Sequence, residues 1–179
     1  MKIKETPLKD CYIIEPTIFE DDRGYFFEKY NEKRFEQLTG LNGHFVQDNI
    51  SKSSYGVIRG IHLQKGEHAQ AKLVSCLEGR VWDVAVDLRK DSPTFGKWFG
   101  IELTAENKTQ LYVPRGFGHG FSVLSETAVF AYKCDNFYNK ESEAGVLYSD
   151  SYLNIDWRIP EQDAVLSEKD QILPDFNKE

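Results

Sequence analysis

The sequence predicts an all-β protein, a barrel or jelly-roll sandwich with a few short helices. Short apolar or alternating runs recur at spacings suited to antiparallel strands. Turn-forming groups such as Asp22-Arg23-Gly24 and Pro114-Arg115-Gly116 separate these runs. Aromatic residues make up 13% of the chain, which favours strands and an aromatic-lined cavity. Because helical patterns are scarce, the many strands must pack on one another as a barrel or a sandwich.

Ten segments are predicted as strands from their alternation or apolar content. In chain order they are 11–15, 24–30, 44–50, 55–63, 70–77, 80–88, 97–104, 109–113, 119–125 and 127–134. One short amphipathic helix is predicted over 31–38, and short turns over 161–164 and 167–170, the last with the Ser-x-x-Asp spacing of an N-cap. The chain has no linker or internal repeat. We therefore expect one domain over 1–179, whose C-terminal segment (about 160–179) packs on the barrel.

Composition and charge exclude several classes of function. A net charge of −7 argues against nonspecific nucleic-acid binding through phosphates. The three cysteines are widely spaced and form no Cys-x-x-Cys pair, so we expect neither disulfides nor a zinc site. No run approaches the roughly 18 apolar residues of a membrane span or the roughly 7–15 of a signal-peptide core. The sequence thus predicts a cytoplasmic protein with no membrane or nucleic-acid partner.

Two histidine motifs carry the strongest functional signal, Arg59-Gly60-Ile61-His62 and Gly116-Phe117-Gly118-His119-Gly120. Each places an imidazole beside glycine at the edge of a predicted strand, as a small barrel presents side chains to an internal cavity. A metal-binding barrel of the cupin type would be expected to read His-x-His from His62 onward, but the residue two positions after His62 is Gln64. Histidine exchanges protons near neutral pH, so the pattern favours His62 as a base in a cavity without a metal.

Other ionisable residues fall within predicted strands. Lys72 lies among small and apolar residues, where an inward ammonium would need an anion in the cavity. Tyr132 is either core packing with a satisfied hydroxyl or a functional phenol. Asp83 and Asp87 share one face of their strand and could be paired catalytic acids, but a structural role is favoured because Asp87 leads directly into a turn.

Seven segments lie within a resemblance that runs, in order and without large gaps, from about residue 3 to residue 174. They are Asp22-Arg23-Gly24-Tyr25-Phe26, Phe45-Val46-Gln47-Asp48-Asn49, Arg59-Gly60-Ile61-His62-Leu63-Gln64, Ser92-Pro93-Thr94-Phe95-Gly96, Pro114-Arg115-Gly116-Phe117-Gly118-His119-Gly120-Phe121, Tyr132-Lys133 and Leu166-Ser167-Glu168-Lys169-Asp170. Together they resemble the dTDP-4-dehydrorhamnose 3,5-epimerase family. The resemblance implies a cupin-like jelly roll, usually a homodimer, that needs no metal or other cofactor.

The resemblance also implies an activity. Members invert C3 and C5 of dTDP-4-dehydro-6-deoxy-D-glucose to give dTDP-4-dehydro-L-rhamnose, in dTDP-L-rhamnose biosynthesis for cell-surface polysaccharide. By similarity His62 is the base, Asp170 orients it, Lys72 stabilises the enolate and Tyr132 is the acid. The resemblance implies that Tyr138 stacks on thymine. The full set of implied substrate-binding residues is Arg23, Phe26, Glu28, Gln47, Asp48, Asn49, Arg59, His119, Tyr138, Glu143 and Lys169.

Three alternatives stay open at this point. A single-site epimerase of the same family would invert only C3 or C5, although Tyr132 favours double epimerisation. A metal-dependent cupin such as a dioxygenase would need His62, His119, position 64 and a carboxylate such as Glu67 as ligands. A noncatalytic sugar-nucleotide-binding barrel would have no use for His62, Asp170 and Tyr132 together.

Overall fold

Two antiparallel sheets face each other in the computed structural model, which describes residues 1–177. Residues 178–179 of the predicted C-terminal segment lie outside the described residues. The strands are β1 (Lys2–Glu5), β2 (Tyr12–Glu15), β3 (Ile18–Asp21), β4 (Gly24–Phe27), β5 (Gln47–Ser54), β6 (Ile58–Gln64), β7 (Lys72–Glu78), β8 (Arg80–Asp87), β9 (Trp98–Thr104), β10 (Gln110–Val113), β11 (Phe117–Val123), β12 (Thr127–Cys134) and β13 (Glu143–Gly145). The helices are α1 (Glu32–Thr39) and α2 (Glu168–Gln171).

The sheet order identifies a jelly roll. One sheet has the order β1-β2-β10-β7-β12-β5 and the other β13-β6-β11-β8-β9, while β3 and β4 form a separate hairpin. Neighbouring strands alternate between distant parts of the chain, as they do when a jelly roll is built from Greek-key connections. The predicted all-β, cupin-like jelly-roll class is confirmed. Neither helix in the described part of the chain is long and apolar enough to cross a membrane.

Each of the ten predicted segments overlaps an observed strand, but β1, β3 and β13 were not predicted. β1 reads Lys-Ile-Lys-Glu and is largely exposed at a sheet edge, so it carries no apolar alternation. β3 is also exposed, and β13 has only three residues. The predicted helix is α1, which begins where the Asn31 side chain accepts from the backbone of Arg34. The predicted turn at 161–164 is a 3₁₀ turn at Glu161–Asp163.

Most central strands bury both faces, because apolar layers lie between and outside the sheets. On β8, Val81 and Ala85 point into the cluster between the sheets, whereas Trp82, Val84 and Val86 point outward. This period of two follows from the strand geometry. The outer layer over β8 is completed by residues from the C-terminal part of the chain, Val146, Leu153, Trp157 and Phe176. On the other side, Phe35 of α1 packs against the outer face of the six-stranded sheet.

Asp87 has the structural role expected of it. Its carboxylate has 0% side-chain exposure and accepts hydrogen bonds from Arg89, Ser92 and Thr94 in the following turn. Burial alone would raise the pKa of Asp87, but these donors outweigh burial and hold the pKa below its usual value. A buried carboxylate with this many donors stabilises the turn after β8.

Candidate active site

A cavity of about 430 Å³ lies between the two sheets. Strands β6 and β11 of the five-stranded sheet contribute Arg59, His62 and His119 to one wall. Strands β7 and β12 of the six-stranded sheet contribute Lys72 and Tyr132 to the other. A second cavity of about 140 Å³ shares three of these residues and extends towards the loop after β12. The chemistry-bearing side chains therefore face one another across the middle of the jelly roll.

His62 and Asp170 form a hydrogen-bonded pair on the first wall. His62 Nε2 contacts Asp170 Oδ1, and Ser167 Oγ donates to the other carboxylate oxygen at 2.7 Å. Ser167 is also the N-cap of α2, so one residue fixes both the helix and the carboxylate. A carboxylate can only accept, so Nε2 carries the ring proton and Nδ1 keeps its lone pair. That lone pair makes His62 competent as a base.

The environment of Asp170 favours its ionised form. Burial alone would raise the pKa of Asp170, but the hydrogen bonds from His62 and Ser167 outweigh burial and lower the pKa below its usual range. The side chain of Asp170 is 5% exposed, whereas that of His62 is 35% exposed and accessible from the cavity. The carboxylate is thus a negative charge behind the imidazole at neutral pH.

Replacing Asp170 with asparagine should change how stability depends on pH. Because the folded pKa of Asp170 is lowered, its stabilising effect is complete above the unfolded pKa of about 3.9 and is lost as the pH falls through the folded value. Urea unfolding should therefore show wild type more stable than Asp170→Asn at pH 7, with the difference shrinking below about pH 4. The exposed Asp22→Asn variant is the control, and its stability should differ from that of wild type by the same small amount at every pH. A stability difference between wild type and Asp170→Asn that does not change with pH would contradict the expectation.

His119 forms a second imidazole–carboxylate pair. It lies opposite His62 in the register between β11 and β6, and its Nε2 lies 2.8 Å from Asp83 Oδ1. Both side chains are buried, with exposures of 7% and 0%. Asp83 was favoured as structural from the sequence, and the alternation of β8 correctly placed it beside Asp87 on one face. No sequence pattern indicated its contact with His119, because that contact requires β8 and β11 to be neighbours.

Lys72 and Tyr132 stand together on the opposite wall, with Lys72 Nζ 6.0 Å from the centre of the Tyr132 ring. Burial lowers the pKa of Lys72, and Cys134 and Asp83 oppose that effect. Burial also raises the pKa of Tyr132, with a further contribution from Cys134, so the phenol keeps its proton at neutral pH. Beneath them Phe121 and Phe130 stack with centroids 4.2 Å apart and give the cavity an apolar floor.

The smaller cavity gathers most of the residues expected to bind nucleotide. Gln47, Asn49, Tyr138, Glu143 and Lys169 all line it. Lys169 Nζ donates to Glu143 at 2.6 Å. The backbone of Tyr138 donates to the Gln47 side chain at 3.2 Å. The exposed Tyr138 ring is therefore held beside the cavity by its neighbours, where it can stack on a base.

Four of the expected binding residues are not brought into either cavity. Asp48 alternates with Gln47 and Asn49 along β5, so its side chain lies on the opposite face and forms an ion pair of 2.7 Å with Lys133. Arg23, Phe26 and Glu28 belong to the β3–β4 hairpin and the residues after it, and line neither cavity. The Arg23 side chain is 89% exposed and Phe26 is 70% exposed.

Gln64 lies where a metal-binding cupin would be expected to have a histidine ligand, but its side chain makes hydrogen bonds to the backbone. Its amide nitrogen donates to the carbonyls of His68 and Phe137, and its oxygen accepts from the Asn139 backbone at 2.6 Å. It thereby ties the loop carrying Tyr138 to β6. Within residues 1–177 no group of three or more His, Cys, Asp or Glu side chains is arranged to hold a metal ion, so the dioxygenase alternative lacks a donor set there.

A jelly-roll cavity with an imidazole–carboxylate pair on one wall and a phenol on the other has the groups that an acid–base isomerase needs. Residues 5–178 match the family model described as dTDP-4-dehydrorhamnose 3,5-epimerase. The chain belongs to this family, which confirms the resemblance carried by its motifs, and the family is of the isomerase class.

Individual relatives match over nearly the whole chain. The dTDP-4-dehydrorhamnose 3,5-epimerase of Shigella flexneri is 54% identical and covers 95% of this chain and 93% of its own. The crystal structure of the enzyme of that name from Elizabethkingia anophelis NUHP1 is 79% identical with a TM-score of 0.96, covering 98% of this chain and 96% of its own. The dTDP-6-deoxy-D-glucose-3,5-epimerase from Legionella pneumophila Philadelphia 1, in complex with dTDP-4-keto-L-rhamnose, is 48% identical with a TM-score of 0.90 and covers 98% of both chains.

Proposed function

We propose that this protein inverts C3 and C5 of dTDP-4-dehydro-6-deoxy-D-glucose to give dTDP-4-dehydro-L-rhamnose, without a metal or other cofactor. The observation that carries the proposal is the opposition of His62 and Tyr132 on facing sheets of one cavity. Facing sheets are about 10 Å apart, which leaves room for one sugar ring between a base and an acid. Inversion requires that a proton leave one face of a carbon and another arrive at the opposite face.

The first step takes a proton from the carbon beside the ketone. His62 Nδ1 accepts the proton, the C–H electron pair forms a double bond to C4, and the C4 oxygen becomes an enolate. Asp170 stabilises the imidazolium that forms, as the carboxylate does in other His–Asp pairs. Lys72 donates to the enolate oxygen, and its half-buried ammonium gains an anionic partner only as this charge develops.

The second step returns a proton from the opposite wall. The Tyr132 hydroxyl protonates the carbon on the face away from His62, the double bond becomes a single bond again, and the ketone reforms. After this step His62 is protonated and Tyr132 is ionised. His62 must therefore lose its proton to solvent, and Tyr132 must take one from solvent, before the second carbon reacts. Solvent hydrogen should therefore appear at each inverted carbon.

The remaining pocket residues suit the nucleotide and diphosphate. Arg59 and Lys169 supply positive charge at the cavity, and Tyr138 offers an aromatic face to thymine. Gln47, Asn49 and Glu143 supply amide and carboxylate groups around it. His119 contacts the sugar on the His62 wall. For Asp48 we propose contact through its backbone alone, since its side chain is committed to Lys133.

The decisive experiment incubates the purified protein with dTDP-4-dehydro-6-deoxy-D-glucose in heavy water and follows the sugar by NMR. Deuterium at both C3 and C5, with dTDP-4-dehydro-L-rhamnose as product, supports the proposal. Incorporation and inversion at one carbon alone would identify the single-site alternative. No incorporation at either carbon would reject catalysis and leave the binding-barrel alternative. Activity lost with a chelator and restored by iron or manganese would revive the metal-dependent alternative.

We also propose a homodimer in which the β3–β4 hairpin completes the partner's pocket. The hairpin pairs with neither sheet and carries Phe19, Tyr25 and Phe26 at 60–70% exposure, an apolar surface suited to burial against another copy. Arg23 at the turn of the hairpin forms side-chain hydrogen bonds only with Asp21 among the described residues, and it is free to contact the diphosphate of a substrate bound by the partner.

We further propose a cytoplasmic location, which is supported by Cys11, Cys76 and Cys134, since these cysteines are free and buried.

Complementation between two inactive variants tests the shared site. In a heterodimer of His62→Asn and Arg23→Ala, one pocket combines both changes and the other contains neither, provided that Arg23 acts across the interface. Random mixing should then restore about a quarter of wild-type activity, since half of the dimers carry one intact pocket. If Arg23 acts within its own chain, every heterodimer pocket has one defect and mixing restores nothing. Sedimentation of the wild-type protein as a monomer would also reject the proposal.

A further inference from the structure

Asp83 is a carboxyl group placed inside the apolar layer between the sheets. Its neighbours along the inward face of β8 are Val81 and Ala85, and its side chain has 0% exposure. Oδ1 contacts His119 Nε2, whereas Oδ2 has no hydrogen-bond partner among residues 1–177. A buried carboxylate with one partner is less favourable than an apolar side chain of similar size. Fold stability therefore does not account for an aspartate at this position.

Two other buried carboxylates differ from Asp83 in this respect. Asp87, four residues along β8, is satisfied by Arg89, Ser92 and Thr94. Asp170 receives hydrogen bonds on both oxygens. Of these three, only Asp83 has an imidazole as its single hydrogen-bond partner and a second oxygen without a partner among residues 1–177.

That single contact fixes the state of His119. An ionised carboxylate can only accept, so the imidazole proton must be on Nε2. Nδ1 has no hydrogen-bond partner within the described residues, and His119 lines the cavity in register with His62. The negative charge of Asp83 also favours the ammonium form of Lys72 on the opposite wall. His119 lines only the larger cavity, whereas Lys72 lines both cavities.

We propose that Asp83 is a positioning residue for the epimerisation. It holds His119 with its proton on Nε2, so that Nδ1 is presented to the hydroxyl groups of the sugar. The inference rests on the proposed function and deepens it, because it assigns the sugar contact of His119 to one ring nitrogen. Asp83 itself does not touch substrate.

The test compares Asp83→Asn with Asp87→Asn, two isosteric changes at fully buried carboxyls of one strand. The amide introduced by Asp83→Asn would no longer dictate the tautomer, because an amide can donate or accept. Asp83→Asn should lower kcat by about 10- to 100-fold. It should leave the Kd of dTDP unchanged and leave Tm unchanged or higher. Asp87→Asn should lower Tm, since its donors lose their charged partner, while kcat of the folded protein stays at the wild-type value.

Nitrogen-15 NMR of labelled histidine gives a readout that does not depend on turnover. Wild-type His119 should carry a proton on Nε2, and Asp83→Asn should populate the form protonated only on Nδ1. Wild-type His119 protonated on Nδ1 alone would overturn the proposal, and this measurement decides if Asp83→Asn does not fold. Undiminished kcat in a folded Asp83→Asn would also overturn it. A wild-type protein that exchanges no deuterium would instead reject the proposed function.

Discussion

Replacing His62 with asparagine is expected to lower the rate of epimerisation by about 10³- to 10⁴-fold. Asparagine approximates the shape of imidazole and can still contact Asp170, but it cannot take a proton at neutral pH. Both inversions should fail together, because His62 is the proposed base for both carbons beside the ketone. The measurement is deuterium incorporation at C3 and C5, followed by NMR over hours to resolve a slow residual rate.

His44 provides a matched control. It is an exposed histidine beside Glu32 and lines neither cavity. His44→Asn should leave the rate unchanged, and both variants should bind dTDP with wild-type affinity, since the nucleotide contacts are untouched. If His62→Asn exchanged deuterium at either carbon at the wild-type rate, another group would have to be the base for that carbon.

Replacing Tyr132 with phenylalanine should separate proton removal from inversion. The ring and its packing on Phe130 are preserved, and only the hydroxyl is lost. His62 can still remove a proton and return solvent deuterium from the same face, so exchange should continue at one or both carbons. Inversion needs a donor on the opposite wall and should fall by about 10²- to 10⁴-fold for at least one carbon.

Tyr112→Phe controls for the loss of a buried tyrosine hydroxyl. Tyr112 is buried under α1 on the outer face of the same sheet and lines neither cavity. It should form dTDP-4-dehydro-L-rhamnose at the wild-type rate after correction for any change in stability. Full rhamnose-type product from Tyr132→Phe at an undiminished rate would show that the acid is a different group.

Most strands were predictable because apolar and polar residues alternate in the sequence wherever one face of a strand packs against the core. β8 and β12 are of this kind, whereas β1 is polar and exposed and so carries no such signal. The same alternation could have separated Asp48 from Gln47 and Asn49, since adjacent residues of a strand point to opposite faces. The alternation is present in the sequence, but the family motif includes all three residues without distinguishing the two faces.

Contacts between distant segments were not predictable from the sequence pattern. The pairing of His62 with Asp170 was expected only through the family resemblance, since 108 positions separate the two residues. The contact of His119 with Asp83 was missed, because it depends on which strand lies beside β11. Periodicity reports which face of a strand is buried, but sheet order decides which side chains meet across it.

The location of Asp170 on α2 has a consequence for the order in which the protein becomes active. The proposed base, His62, lies on β6 in the first half of the sequence, but its carboxylate partner comes from a short helix that follows every strand of both sheets. A chain emerging from the ribosome could assemble the jelly roll with His62 already in place and still lack the charge that holds the imidazole. Proton abstraction would then begin only once this late helix had been synthesised and had docked, so incomplete chains would be inert towards the nucleotide sugar.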